Sequence, residues 1–280
     1  MCESYDIKTL TSDDLKRFID THPECEYEII DVRQPEEYVA GHIPGSQLIP
    51  VTDIVSDTSR LPGDKDLIFY CQSGQRSHSA SIIAYEEKVS THAIYHLEGG
   101  ITAWEGKTLL NYPRFEVFHS SYDVKDFALT AMKLEKSAHV FYIVCYKRFK
   151  KFKISGLFLD LSNAERDHAK MIFEQLATEN NISKNFDDIF MNLSYKTIEG
   201  GKKLSDTLQI IENYTSPCIE LIDIALSIEY SAFDLYRNMA DNTEIAVIKN
   251  LFYSLSQEEK EHMKTIIRGI ELISFYSEPT

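Results

Sequence analysis

Hydrophobic and polar positions follow two different rhythms along the chain, and the change falls near residue 115. Before it, short apolar runs rich in β-branched and aromatic residues recur as EYEIIDV (26–32), GSQLIPV (45–51), DLIFYC (66–71) and HAIYHL (92–97), the pattern of buried strands. Between them TSDDLKRFID (11–20), QPEEYVAG (34–41) and SHSASIIAYEEK (77–88) read as helices, and Thr11 or Ser12 can cap the first. Strand–helix alternation predicts an α/β domain with a parallel sheet over residues 1–115. From about residue 122 the strand signals fade. Phe127, Ala131, Leu134, Ala138, Phe141 and Cys145 recur at spacings of three and four. Four long helices are expected over about 122–150, 156–179, 217–240 and 244–273, with Pro217 in the first turn of the third. The connection 181–216 is too long to be structureless, so KLSDTLQIIENY (203–214) is expected to form a short helix. The second domain is therefore an all-α four-helix bundle with one long crossover, over 125–275, and 116–124 is the linker.

The second half also repeats itself. A shift of 94 residues places Ala131 on Ala225, Glu135 on Glu229, Ala138 on Ala232 and Tyr142 on Tyr236. The same shift, with no gap, places Phe158 on Phe252, Leu161 on Leu255, Glu165 on Glu259 and His168 on His262. A match over some 40 residues points to a duplicated helix pair.

Length and charge narrow the classes. A chain of 280 residues suits two domains. Its formal net charge of −15, from 29 basic and 44 acidic residues, disfavours nucleic acid and anionic membrane as partners. The N-terminus lacks the basic and apolar regions of a signal peptide, and no apolar run approaches a membrane span. Five cysteines (2, 25, 71, 145 and 218) are scattered and never spaced C-x-x-C, which argues against a disulfide framework or an all-cysteine metal site. A reducing cytoplasm is the expected setting.

Cys71 ends an apolar run and precedes QSGQRS and a helical segment, so it sits on a strand-to-helix turn. There its sulfur would face successive backbone N–H groups and the positive end of a helix, both of which favour the thiolate. Gly74 lets the loop curl and Arg76 adds positive charge. The segments IIDVRQPEEYVAGHIPGSQLIPV (29–51), FYCQSGQRSHSA (69–80) and HLEGGITAW (96–104) resemble the successive signatures of a rhodanese domain, over roughly residues 5–110. The resemblance implies that Cys71 takes a sulfane sulfur from a donor such as thiosulfate, becomes a persulfide and passes the sulfur to a thiol or similar acceptor. It implies a substrate-binding loop of Gln72, Ser73, Gly74, Gln75 and Arg76. Related phosphatases and arsenate reductases use a loop one residue longer, so this length favours sulfur transfer. Asp31, Arg33 and Glu37 match charged positions of the first signature and are expected to order the loops, with His42 and Trp104 as packing residues.

Glu165 with His168, and Glu259 with His262, project from one helix face at i, i+3 among apolar neighbours. Glu135 and Glu229 are framed by alanines and by Tyr142 and Tyr236. Four carboxylates and two imidazoles in one core need cations, and this donor set suits iron or manganese. Three glutamates precede His262 closely, and the repeat selects Glu259 over Glu258 and Glu261. This half resembles the rubrerythrin branch of the ferritin-like superfamily over about 125–272. The resemblance implies a carboxylate-bridged di-iron centre, with manganese or zinc as substitutes, that reduces peroxide or reacts with oxygen. Tyr142 and Tyr236 would hydrogen-bond ligand carboxylates.

Two departures stand out. Rubrerythrins carry a further Glu one turn after the third-helix Glu, and the position here is Ala232. They also carry a rubredoxin relay, for which no cysteine pair exists, so an external electron donor is expected. KRFKKFK (147–153) is expected to extend or end the first bundle helix as a solvated face, and His139 to play a supporting or surface role. Two functional readings stay open: a sulfurtransferase coupled to a di-iron redox centre, and a metal-binding or sensing bundle without turnover that uses the rhodanese half as a docking module. Ferritin-like bundles often pair, which leaves a homodimer open.

Overall fold

The computed structural model describes residues 6–111, 113, 124–180 and 185–274. Most of the expected linker, and Cys2, lie outside them. The first part is a five-stranded, all-parallel sheet in the order β1-β5-β4-β2-β3, built from β1 (Ile7–Leu10), β2 (Tyr27–Asp31), β3 (Gln47–Leu48), β4 (Asp66–Tyr70) and β5 (Ile94–Leu97). Strand alternation sends Ile29, Ile68 and Tyr70 to one face, where they pack with Leu15 and Phe18 of α1 (Ser12–Thr21). Ile30, Leu67 and Phe69 go to the other, with Ile54 of α3 (Val51–Ser56) and Ala80 and Ala84 of α4 (Gln75–Glu86). Between β2 and β3 lies α2 (Pro35–Ala40), opened by proline in its first turn. The Thr11 hydroxyl accepts the Asp14 N–H while the Asp14 carboxylate accepts the Thr11 N–H, a reciprocal cap that fixes where α1 begins.

Two elements differ from the sequence reading. The strand expected over 45–51 is only two residues long, because Pro50 cannot donate to the ladder and residues 51–56 turn into α3. Strand β1, which carries two exposed positions, was not signalled by its short IKTL pattern.

The second half is helical: α5 (Val124–Arg148), α6 (Ser155–Asn180), α7 (Phe186–Asn192), α8 (Leu204–Glu212), α9 (Ile219–Asp241) and α10 (Ala246–Ser274). The four long helices and α8 match the expected elements. Helix α7, capped by the Asn185 side chain, is an addition within the crossover. Pro217 precedes α9 rather than occupying its first turn. No helix among the described residues is long and apolar enough to cross a membrane.

The described residues up to Pro113 cluster with Phe233–Gln257 as one compact unit, and those from 124 to Ala232 cluster with Glu258 onward as the other. The division cuts across α9 and α10. Inside the first unit, Arg237 is 0% exposed and pairs with Glu24 at 3.1 Å, Glu28 at 3.3 Å and Asp241 at 2.7 Å. Lys65 joins the same cluster through Glu28 at 2.8 Å and Asp241 at 3.1 Å. Asp234 accepts the Gly45 N–H at 2.7 Å and lies 3.2 Å from the His42 ring. Charges this deep persist only when fully paired, so each is held by at least one opposite charge or ring nitrogen.

Candidate functional site

Two constellations stand out, one in each unit. In the first, β4 delivers Cys71 to the carboxyl end of the sheet, and α4 begins four residues later behind Gly74. Gly74 has φ +95°, which a side chain would oppose, and this turn aims its N–H at the sulfur. Cys71 Sγ accepts that N–H at 3.1 Å and the Ser77 hydroxyl at 3.6 Å. Burial works against the thiolate, but the Ser77 N–H and hydroxyl, with the N–H groups of Ser73 and Gly74, outweigh it and hold Cys71 below the ordinary thiol range. Gln72, Ser73 and Gln75 form an exposed rim over this buried sulfur.

The HLEGGITAW segment braces the loop. Ile101 N donates to the Cys71 carbonyl at 2.8 Å, and Thr102 N to that of Gln72 at 3.1 Å. A Cβ on Gly100 would fall 2.3 Å from the Cys71 carbonyl oxygen, so only glycine admits this approach. Arg76 donates to both Glu37 oxygens, at 2.8 and 2.7 Å, and this pairing is the main reason the Glu37 carboxyl drops to about 2. The Arg76 guanidinium also lies within electrostatic reach of Cys71. Asp31 and Arg33 form a separate buried pair, and Arg33 donates onward to the Gly41 carbonyl at 2.6 Å and to Gln72 Oε1 at 3.4 Å. Thus the three charged residues of the first signature split between two pairs, both touching the loop. His42 is buried, stacked on Tyr38 with ring centroids 3.9 Å apart, and Trp104 donates its N–H to the Lys107 carbonyl.

In the second unit, Glu135 from α5, Glu165 and His168 from α6, Glu229 from α9, and Glu259 and His262 from α10 converge, all buried. Their distances follow the sequence repeat. Glu165 presents Oε2 to His168 Nδ1 at 3.4 Å and Oε1 to His262 Nδ1 at 3.6 Å. Glu259 presents Oε1 to His168 at 3.2 Å and Oε2 to His262 at 3.3 Å. Of the two imidazoles, Glu135 faces His168, at 3.4 Å, and Glu229 faces His262, at 3.0 Å. The imidazoles stack with centroids 5.0 Å apart. The arrangement has two sides, each with one imidazole and one carboxylate of its own, and two carboxylates shared between them. Glu165, His168, Glu259 and His262 each offer an atom within 4.8 Å of the others.

The donors fit cations better than they fit one another. Both Glu259 oxygens and His168 Nδ1 are buried at ion-pair distance without the geometry of a hydrogen bond. Burial and the charges of Glu259 and Glu229 push Glu165 well up, and burial and Glu259 push Glu229 to about 8. Burial opposes a charged His262, but Glu229 and Glu259 overcome it and raise the ring to about 11. Protonated imidazoles thus supply the positive charge that bound cations would replace, with release of the protons. Tyr142 donates to Glu229, the carboxylate of the other repeat, and its ring stacks on Phe158. Tyr236 is buried and stacks on Phe252 in the same way one repeat later.

His139 is not at the cluster: its Nδ1 lies 2.8 Å from the Ser162 carbonyl and so ties α5 to α6. In KRFKKFK the five charges are exposed, Phe149 is buried and α5 ends at Arg148. Two buried charged features escaped the sequence reading. Asp234, Arg237 and Asp241 recur at spacings of three and four on α9, which could have signalled a buried charged stripe. Glu199, in the turn Glu199–Gly201 of the crossover, is buried near the cluster, and only the following Gly-Gly hints at a constrained turn.

Two family models match the chain, one in each half of the sequence. The rhodanese-like domain model matches residues 11–107, and the rubrerythrin model matches 126–200 and 220–274. The first part is 37% identical over 76 residues to a sulfurtransferase of Allochromatium vinosum, a match covering 27% of this chain and 69% of that one. It is 35% identical over 77 residues to the thiosulfate sulfurtransferase GlpE of Pseudoalteromonas translucida, covering 28% and 71%. It is 38% identical over 98 residues to "Probable adenylyltransferase/sulfurtransferase MoeZ" of Mycobacterium tuberculosis, covering 34% of this chain but only 24% of that relative's length.

Proposed function

Because the chain belongs to the rhodanese-like family through its first part and carries a rubrerythrin domain in its second, we propose that it is a sulfurtransferase with Cys71 as sulfur carrier, joined to a di-iron oxidoreductase. The observation that carries the first half is the Cys71 sulfur, poised as an acceptor of loop N–H groups beneath an exposed rim. The thiolate attacks the outer sulfur of a donor such as thiosulfate. The donor's S–S bond breaks, sulfite leaves with the bonding pair, and a Cys71 persulfide forms. An acceptor thiolate or cyanide then attacks the terminal sulfur, and the bond to Sγ breaks to restore the thiolate. Each leaving group departs as an anion, so neither step needs a proton from the protein. The loop amides stabilise the negative charge at both stages, and Arg76, oriented by Glu37, supplies a fixed positive field.

For the second half the supporting observation is that Glu165 and Glu259 each present one oxygen to either side. Glu135 and His168 would complete one metal position, and Glu229 and His262 the other, with Tyr142 fixing Glu229. Bound iron would supply the electrons for reduction of peroxide or oxygen, replenished by an external donor. The surrounding side chains orient the carboxylates, and the imidazoles give up their protons on loading. The acceptor, the electron donor and any pairing of chains belong to this proposal, as does a cytoplasmic setting. Treatment with thiosulfate should add one sulfur atom to the intact chain by mass spectrometry, and Cys71→Ser should abolish the addition. Retention of the added sulfur in that variant would refute the assignment.

A further inference from the structure

We propose that Glu199, delivered by the crossover turn between α7 and α8, is a seventh protein ligand of the metal centre, in a bundle whose third long helix carries Ala232 instead of a further carboxylate. This rests on the dinuclear reading above.

The first observation is an orphan. Glu199 is 4% exposed, its Oε2 is buried with no hydrogen-bond partner, and among the described residues no basic side chain pairs with it. An ionised carboxylate in that state is unstable unless a cation reaches it. Its strongest charged neighbour is Glu135, followed by Glu259 and Glu229, three of the six residues already assigned to the metals. A buried carboxylate oxygen without a hydrogen-bond partner, within electrostatic reach of those acids, points to a metal.

The second observation is how the turn is held. Ile198 N donates to the Lys202 carbonyl at 3.0 Å, Gly201 N to Ile198 at 2.9 Å, and Leu204 N to Lys196 at 2.9 Å. Gly200 and Gly201 adopt φ +77° and +75°, which other residues resist. A Cβ on Gly200 would lie 2.8 Å from the Ser231 hydroxyl. The turn therefore presses against α9 at Ser231, within one turn of Glu229 along the helix axis. Ala232 cannot supply a carboxylate itself, and the crossover brings one to the same stretch of α9. Glycine at 200 is what allows the approach.

Charge gives the ligand a purpose. Four carboxylates with neutral imidazoles balance two divalent cations. A fifth carboxylate favours a more highly charged pair, so Glu199 should stabilise the oxidised form more than the reduced one. Its effect should be larger on the side of Glu135 than on that of Glu229.

The test is metal binding by the full-length protein, with Co(II) as a visible probe and stoichiometry measured by competition with a chelator. Glu199→Gln keeps the shape and removes the charge. It should leave the apo protein folded and no less stable, weaken one of the two Co(II) positions ~10-fold or more, and shift the ligand-field spectrum of that position. Iron-loaded Glu199→Gln should show a higher midpoint potential than the parent. Glu199→Asp, which shortens the arm by one carbon, should fall between the two and serves if the glutamine variant misfolds. Unchanged Co(II) affinities and spectrum in both variants would overturn the proposal and leave Glu199 a buried neutral acid. Failure of the parent protein to bind two Co(II) ions would instead overturn the dinuclear reading on which the proposal rests.

Discussion

The cysteine loop and the carboxylate cluster solve opposite problems. Cys71 and its loop come from six consecutive residues, and every charge near them has a partner: Glu37 with Arg76, Asp31 with Arg33. That site is complete as folded, with its reactive group presented beneath an open rim. The cluster draws on four helices between Glu135 and His262 and on a crossover turn, is buried throughout, and leaves Glu259 and Glu199 oxygens without hydrogen bonds. A site made of one loop can act as folded, whereas a site made of unpaired buried acids is completed by what it binds.

Substitutions can break this comparison in order of effect. Cys71→Ser should lower thiosulfate-to-cyanide transfer by roughly a thousandfold or more, as expected when a covalent carrier is lost, and leave metal content unchanged. Coupled loss of metal would show that the sites are not independent. Next, Glu259→Ala should weaken both metal positions, because Glu259 faces both imidazoles, by more than the ~10–100-fold that an outer partner is worth. Glu135→Ala should weaken only one. Equal effects of the two changes in metal titrations would remove the distinction between shared and single-sided carboxylates.

Smaller effects test what the charges do elsewhere. Arg237→Ala takes the guanidinium from Glu24, Glu28 and Asp241, leaves Lys65 as the cation for the last two, and should cost about 3–5 kcal/mol in denaturant unfolding, since one partner of a buried network is lost. A loss under about 1 kcal/mol would mean that water reaches the cluster. Smallest is Ser77→Ala. The hydroxyl favours the thiolate, so its removal should move the alkaline rise of sulfur transfer to higher pH. The parent should keep activity to lower pH than a free thiol allows, because its thiolate persists there. A profile unmoved by Ser77→Ala would place the control of Cys71 in the backbone amides alone.

The sequence was readable where one signal sufficed. The four long bundle helices, the helix within 203–214 and the Thr11 cap followed from periodicity and capping chemistry. The six residues of the cluster came from the repeat, because two copies of Glu-x-x-His that coincide under one shift leave little freedom. What stayed hidden depends on tertiary approach. The strand expected over 45–51 is cut short at Leu48, because Pro50 ends the ladder and the chain turns into α3. Arg237 resembles an ordinary helix-surface charge until Glu24, Glu28 and Asp241 surround it. Glu199 lies in a stretch without periodicity, and its position comes from the contact of Gly200 with Ser231.

The most direct test of the two-sided metal centre is iron quantification with a visible spectrum on the purified, iron-supplemented protein and on Glu165→Ala. The account predicts two irons per chain, with the absorption of a bridged pair, and loss of both features in the variant while sulfur transfer persists. One iron or none in the parent, or an unchanged spectrum in Glu165→Ala, would contradict it.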